Sequence, residues 1–222
     1  MGGNEATVVR EDVPQEAVVA NRRRVGRPSA REAENKHLAM LQAALEEFSR
    51  HGFHGASVRA IADRAGLSTR TLYNRYADKV ALFAASLELS AMQDPWVEPV
   101  RGKSLRDELV RFATHMQYRM SQDQQVRLAR VIYRECTSFP ELEAVSRGQY
   151  ERFQLEPTQK ILEWHGFEPG QAHEFAALYV SMTFNRWQSR VIYDEPRMSR
   201  AEIAKHVEAA TDLFLNGALA LR

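Results

Sequence analysis

The sequence predicts an all-α protein, a small helical unit at the front and a larger helical bundle behind it. Three observations carry this. Beyond about residue 30, apolar residues recur at the spacing of helices with one buried face. No stretch alternates apolar and polar residues convincingly, as a half-buried strand would. The periodic stretches are separated by glycine, proline and serine, residues that stop or cap helices.

Residues 1–30 lack helical periodicity and contain two prolines and three glycines, so they read as a flexible basic N-terminal arm. Its NRRRVGRP stretch is dense in arginine. Arg22, Arg23, Arg24 and Arg27 form either a solvated linker or a set of cations suited to a narrow DNA minor groove, whose negative potential attracts them.

Leu38, Leu41, Leu45 and Phe48 then mark a first amphipathic helix, stopped at Gly52. Ser57 is a good N-cap for a second, on which Val58, Ile61, Ala62 and Ala65 make a narrow apolar face. Gly66 supplies the left-handed residue that ends it. Leu67 plugs the corner, and Ser68 caps a third helix in which Leu72 and Tyr76 point inward together. That leaves Thr69, Arg70, Thr71, Tyr73, Asn74 and Arg75 for the outer sides. Two short helices joined by a tight turn, the second rich in outward donors, describe a helix-turn-helix. Such a helix suits the major groove, where its first residues meet base edges. Arg70 is suited to guanine, and Tyr73 to a phosphate or a thymine methyl. Lys79 follows Asp78, the expected N-cap of a fourth helix. A cation there opposes the macrodipole and is better matched to a phosphate. A plain solvated turn is the alternative for Thr69 to Thr71, but it leaves the excess of donors unexplained.

Charge agrees with this placement. Residues 1–20 carry one Arg against four acids, and residues 21–79 carry twelve Lys or Arg against six acids, a net of +6. The whole chain has a net charge of only +1, so the positive charge is concentrated where phosphate attraction requires it.

The run from about Lys36 to Phe83 resembles the N-terminal domain of the TetR family of bacterial transcriptional repressors. The matching pieces are ALEEFSRHGFHGAS, VRAIADRAGLS and LYNRYADKVALF, the last close to the family's L-Y-x-H-F-x-x-K-x-x-L-F. Arg75 stands where the family often has histidine, Tyr76 where it often has phenylalanine, and Asn74 where it often has an aromatic residue. The resemblance covers under a third of the chain. It implies DNA contacts from Ser57, Ser68, Thr69, Arg70, Thr71, Tyr73, Asn74, Arg75 and Lys79. It further implies a helix-turn-helix DNA-binding domain over residues 31–79, and a helical regulatory, ligand-binding and dimerisation domain over residues 80–222. The function implied is that of a homodimeric repressor on a pseudo-palindromic double-stranded operator, released by a small-molecule effector. A DNA-binding regulator without such a ligand, constitutive or protein-responsive, is the alternative.

The rest of the chain reads as helix. Val80, Phe83 and Leu87 share a face of the fourth helix, the only covalent lever between the two units. Leu105, Leu109, Phe112 and Met116 form one stripe, and Val126, Ala129 and Tyr133 begin another. Ser138-Phe139-Pro140 breaks the chain. A long helix is expected from about Glu141 to His165, kinked at Pro157. Two more run from about Gln171 to Tyr193 and from about Arg200 to Leu221. The former is apolar on two sides. Phe175, Tyr179, Met182 and Tyr193 lie on one line, and Val180, Phe184, Trp187 and Val191 on the other. Two apolar sides need two neighbours. One is expected inward. The Val180 line, helped by Val207 and Phe214 of the final helix, is expected to meet a second copy, with burial inside one subunit as the alternative. An apolar or aromatic effector is expected among Phe112, His115, Met116, Tyr133, Phe153, Phe175, Tyr179 and Met182. Arg186 is suited either to orienting a carboxylate or phenol or to meeting a neighbouring acid or reaching water, and the aromatic and methionine residues also serve as plain core.

Other classes find no support. No apolar run approaches the ~18 residues that span a bilayer. The first residues carry acids where a secretory signal needs a basic segment, so a cytoplasmic location is expected. Cys136 is the single cysteine, which excludes an intrachain disulfide framework. There is no phosphate-cradling glycine loop, nucleophile elbow or paired metal-ligand motif, so no enzyme activity, cofactor or metal is expected.

Overall fold

The computed structural model describes residues 1–2, 30–93 and 98–218, and regular structure among them is entirely helical. Arg22, Arg23, Arg24 and Arg27 lie outside the described residues. Helix α1 (Ala30–Gly55) breaks at Gly52, whose φ of 71° is the left-handed turn expected of a helix stop; the chain then adds one short turn. Its buried stripe begins at Met40, not at Leu38, which is exposed while its neighbour His37 packs on Tyr76. Helix α2 (Val58–Arg64) is capped by Ser57, whose hydroxyl accepts from the Ala60 amide at 3.3 Å. At its other end Gly66 has a φ of 64°. The Leu67 and Gly66 amides donate to the carbonyls of Ala62 and Asp63, a Schellman closure. Helix α3 (Thr69–Tyr73) is capped by Ser68, and α4 (Lys79–Gln93) by Asp78, whose carboxylate accepts from Ala81 at 2.8 Å.

Behind this head lie α5 (Leu105–Met120), α6 (Asp123–Glu135), α7 (Pro140–Tyr150), α8 (Glu156–Trp164), α9 (Pro169–Tyr193) and α10 (Arg200–Ala218). The single kinked helix expected from Glu141 to His165 is instead α7, a π-turn over Glu151–Leu155, and α8. Proline has no amide for the preceding turn. The widened π-turn absorbs the mismatch and leaves Pro157 in the first turn of α8, where no donor is needed.

Two large apolar clusters and a small one around Val126, Ala129 and Val191 form the core among the described residues. One holds the head together around Phe48, Phe53 and Phe83, with the Phe48 and Phe83 ring centroids 4.4 Å apart. It does not stop at the head, for it includes Leu128 and Val131 of α6 and Leu142 of α7. Helix α4 is therefore not the only mechanical link: α1 packs on α6, and His54 Nε2 lies 3.0 Å from the buried Glu135 carboxylate. The second cluster joins α5, α8, α9 and α10.

Helix α9 is apolar on two sides for a reason internal to the subunit. Val180, Phe184 and Val191, expected at an interface between copies, are buried within one chain, as are Val207 and Phe214 of α10. Trp187 is half-buried and donates its indole N–H to the Met120 carbonyl at 2.9 Å. The large apolar side chains of α9 and α10 left uncovered among the described residues are Leu178, Ile192, Tyr193 and Leu213, exposed by 57% or more.

Candidate nucleic-acid interface and internal cavity

Helix α3 is anchored by Leu72, fully buried under the head, so its other side chains are turned outward. Thr69, Arg70, Thr71, Tyr73, Asn74 and Arg75 are all exposed. Among the described residues no ion pair or hydrogen bond engages the side chains of Arg70, Tyr73, Asn74 or Arg75, which leaves their donors for an outside partner. The Ser68 hydroxyl is used locally, accepting from the Thr71 amide at 3.1 Å and lying 2.8 Å from the Thr71 hydroxyl. Ser57 is similarly committed, its amide donating to Glu47 at 3.1 Å. Tyr76 plugs inward as expected and stacks on His37, with centroids 6.2 Å apart. Burial lowers the His37 pKa, with Arg75 acting in the same direction, so the ring beside the row is held toward its neutral form.

Lys79 is half-buried rather than extended. Its ammonium donates to the His54 carbonyl at 3.1 Å and lies over the Phe53 ring. It braces the α1–α2 turn and retains further N–H groups at the head surface. Burial lowers its pKa, opposed by Glu47.

Behind the head a cavity of about 430 Å³ opens between α4, α5, α6, α7, the π-turn and α9. Leu87, Met116, Leu128, Val180 and Phe184 are buried at its inner end; Tyr133, Glu143, Arg147, Ser181 and Gln188 are exposed at its mouth. Of the residues the sequence nominated for a ligand, Met116, Tyr133 and Phe153 line it. Phe112 and His115 line a separate cleft with Arg111 and Arg200. Phe175 and Tyr179 are buried core against α10, where Tyr179 bonds to Thr211 at 2.8 Å. Met182 packs half-buried on that core, and Arg186 is exposed near Glu202. Of the two lines of α9, Phe175 and Tyr179 pack inward as expected but as core and not as cavity lining, whereas Val180, Phe184 and Trp187, expected at a second copy, face the cavity.

Sequence reasoning missed the polar lining, which includes Arg119, Gln125, Gln149, Tyr150 and Gln154. These residues come from four elements and share no spacing that a single stretch could reveal. The only trace was Pro157, which forces the π-turn that carries Phe153 and Gln154 at the cavity wall.

Residues 40–86 match the family described as "Bacterial regulatory proteins, tetR family". The HTH-type transcriptional regulator RutR of Escherichia coli K12 is 36% identical over 83 residues, 37% of this chain and 37% of RutR. UidR of the same strain, also an HTH-type transcriptional regulator, is 35% identical over 85 residues, covering 36% and 41% of the two chains. Those alignments therefore span well under half of either relative. The fold reaches further. A TetR-family regulator structure from Mesorhizobium loti superposes with a TM-score of 0.74 at 24% identity, over 85% of this chain and 98% of that one. The flavonoid-responsive regulator FrrA gives a TM-score of 0.67 at 24% identity, over 82% and 96%.

Proposed function

We propose that this chain, whose head matches the tetR family over residues 40–86, is a DNA-binding transcriptional repressor of that family, a homodimer released from its operator by a small molecule. The observation that carries the reading is the α3 row. A short helix pinned by Leu72 presents Arg70, Tyr73, Asn74 and Arg75 outward without partners among the described residues, on the segment where the chain's positive charge is concentrated. Base edges and phosphates are the partners such a row fits.

Two heads related by a twofold axis read half-sites about one helical turn or a multiple of it apart. The uncovered Leu178, Ile192 and Leu213 supply an apolar face for the partner subunit, and α9 and α10 pack side by side to present it. The cavity favours an effector over a constitutive regulator. Its walls include Leu87, Ser90 and Ala91 of α4 and Leu128 of α6, helices that also pack against the head. Filling it shifts the helices on which the heads rest, and a few kcal/mol of differential affinity is enough to change the spacing of the heads. No described helix is long and apolar enough to cross a membrane; a cytoplasmic location follows from the proposed role.

The test is selection of a binding site from randomised duplexes, followed by fluorescence anisotropy. The parent is expected to select a pseudo-palindrome. Arg70→Ala should relax one base position per half-site, at a cost of about 1–3 kcal/mol. A parent that ignores duplex DNA in low salt, or an Arg70→Ala protein with unchanged selection, overturns the reading.

A further inference from the structure

The chemistry of the cavity wall narrows the class of molecule that it accepts. Its inner end is apolar, so a charged group seated there would lose its hydration without replacement. At the mouth the one lining carboxylate, Glu143, accepts from Arg147 at 2.6 Å, so the two charges cancel each other. A cationic ligand therefore meets no unpaired acid among the described lining residues. The other lining cation, Arg119, donates to the Ala91 carbonyl at 2.8 Å, in the last turn of α4, where the helix end attracts a positive charge. It holds α4 to α5.

What remains are uncharged groups that form hydrogen bonds. Burial, reinforced by Glu151, raises the Tyr150 phenol, which thus enters the wall as a neutral hydroxyl. Gln149 is more telling. It lines the cavity, yet its amide nitrogen is shut off from solvent and has no hydrogen-bond partner among the described residues. A buried amide end without a partner is costly and calls for an explanation. The terminal torsion of glutamine is broad, so rotation about it can turn the amide N–H toward an oxygen in the cavity.

Resting on the reading of this cavity as the effector site, the geometry points to an uncharged aromatic ligand bearing a hydroxyl or carbonyl oxygen, recognised by Gln149. The aromatic body stacks among Phe153, Phe184 and Trp187, and its oxygen replaces the partner that the Gln149 amide lacks.

Four probes of nearly one shape test this: biphenyl, 4-hydroxybiphenyl, biphenyl-4-carboxylate and 4-(aminomethyl)biphenyl, titrated calorimetrically into the full chain. The phenol is expected to bind roughly tenfold or more tighter than either charged probe. Gln149→Leu should cost the phenol roughly tenfold while leaving biphenyl unchanged. The same variant should raise the melting temperature of the ligand-free protein by a few degrees, because an unpartnered amide has been removed. A supporting Gln would instead lower it. Ala129→Trp, which fills the cavity, should abolish binding of every probe. Tightest binding by a charged probe, still abolished by Ala129→Trp, overturns the ligand class and leaves the effector site standing. Binding that survives Ala129→Trp, or no binding by any probe at millimolar concentration, overturns both.

Discussion

Tyr179 offers a clean separation of core from cavity. It is fully buried, its hydroxyl 2.8 Å from Thr211 Oγ1, and Thr211 in turn donates to the Val207 carbonyl at 2.7 Å. The single Thr211 proton is thus used, so Tyr179 is the donor and Thr211 the acceptor. Burial raises the Tyr179 phenol well above the usual tyrosine value, against the opposing Thr211 hydrogen bond, so the donor persists to strongly alkaline pH. Tyr179→Phe deletes one hydrogen bond and strands nothing, a cost of about 0.5–1.5 kcal/mol. Thr211→Val keeps the shape but strands a buried hydroxyl, a cost of about 1–3 kcal/mol. The double variant strands no hydroxyl and should be more stable than Thr211→Val alone, a coupling of the kind a double-mutant cycle measures. Urea unfolding at fixed protein concentration reads all four proteins. The reasoning fails if Thr211→Val is no more damaging than Tyr179→Phe. It fails equally if Tyr179→Phe weakens 4-hydroxybiphenyl binding, since the ring would then reach the cavity.

Three further outcomes are expected. Lys79→Ala should weaken binding to every duplex and reduce the salt dependence by about one unit; an unchanged slope in a salt titration would restrict Lys79 to bracing His54 and Phe53. Leu213→Glu places a charge on the uncovered face, and light scattering should show the monomer mass at micromolar concentration; a mass equal to that of the parent would move the interface elsewhere. Arg190, donating at 2.6 Å, holds the Asp123 carboxyl below its ordinary value of 3.8. A depressed folded-state pKa gives stability that is present above that value and lost as pH falls through the lower one. Asp123→Asn should therefore lose less stability than the parent on going from about pH 4 to pH 2. Identical acid limbs in the two melting curves would refute the assignment.

The head was legible because its signals are local. Ser57, Gly66, Ser68 and Asp78 each act within a few residues of themselves, and each does in the structure what its type dictates. Helix α9 was half legible. Its two apolar lines were visible, but periodicity says that a face is covered and not by what, and so the Val180 line was assigned to a second copy when it faces the cavity, and the Tyr179 line to a ligand when it packs on α10. Pro157 announced a disturbance without announcing that a π-turn would absorb it. The cavity is non-local: Gln149 carries nothing in its own neighbourhood of sequence to mark it as an amide without a partner.

The apolar cluster shared by the head with Leu128, Val131 and Leu142 has a practical consequence. The head is not a detachable module. A fragment cut after α3 would lose Leu82, Phe83 and Phe139, whose ring packs on Phe53 with centroids 4.8 Å apart, leaving aromatic rings bare to water. Transplanting the head onto a foreign bundle therefore requires bringing that seat along with it, and heating the intact protein should melt head and seat in a single step.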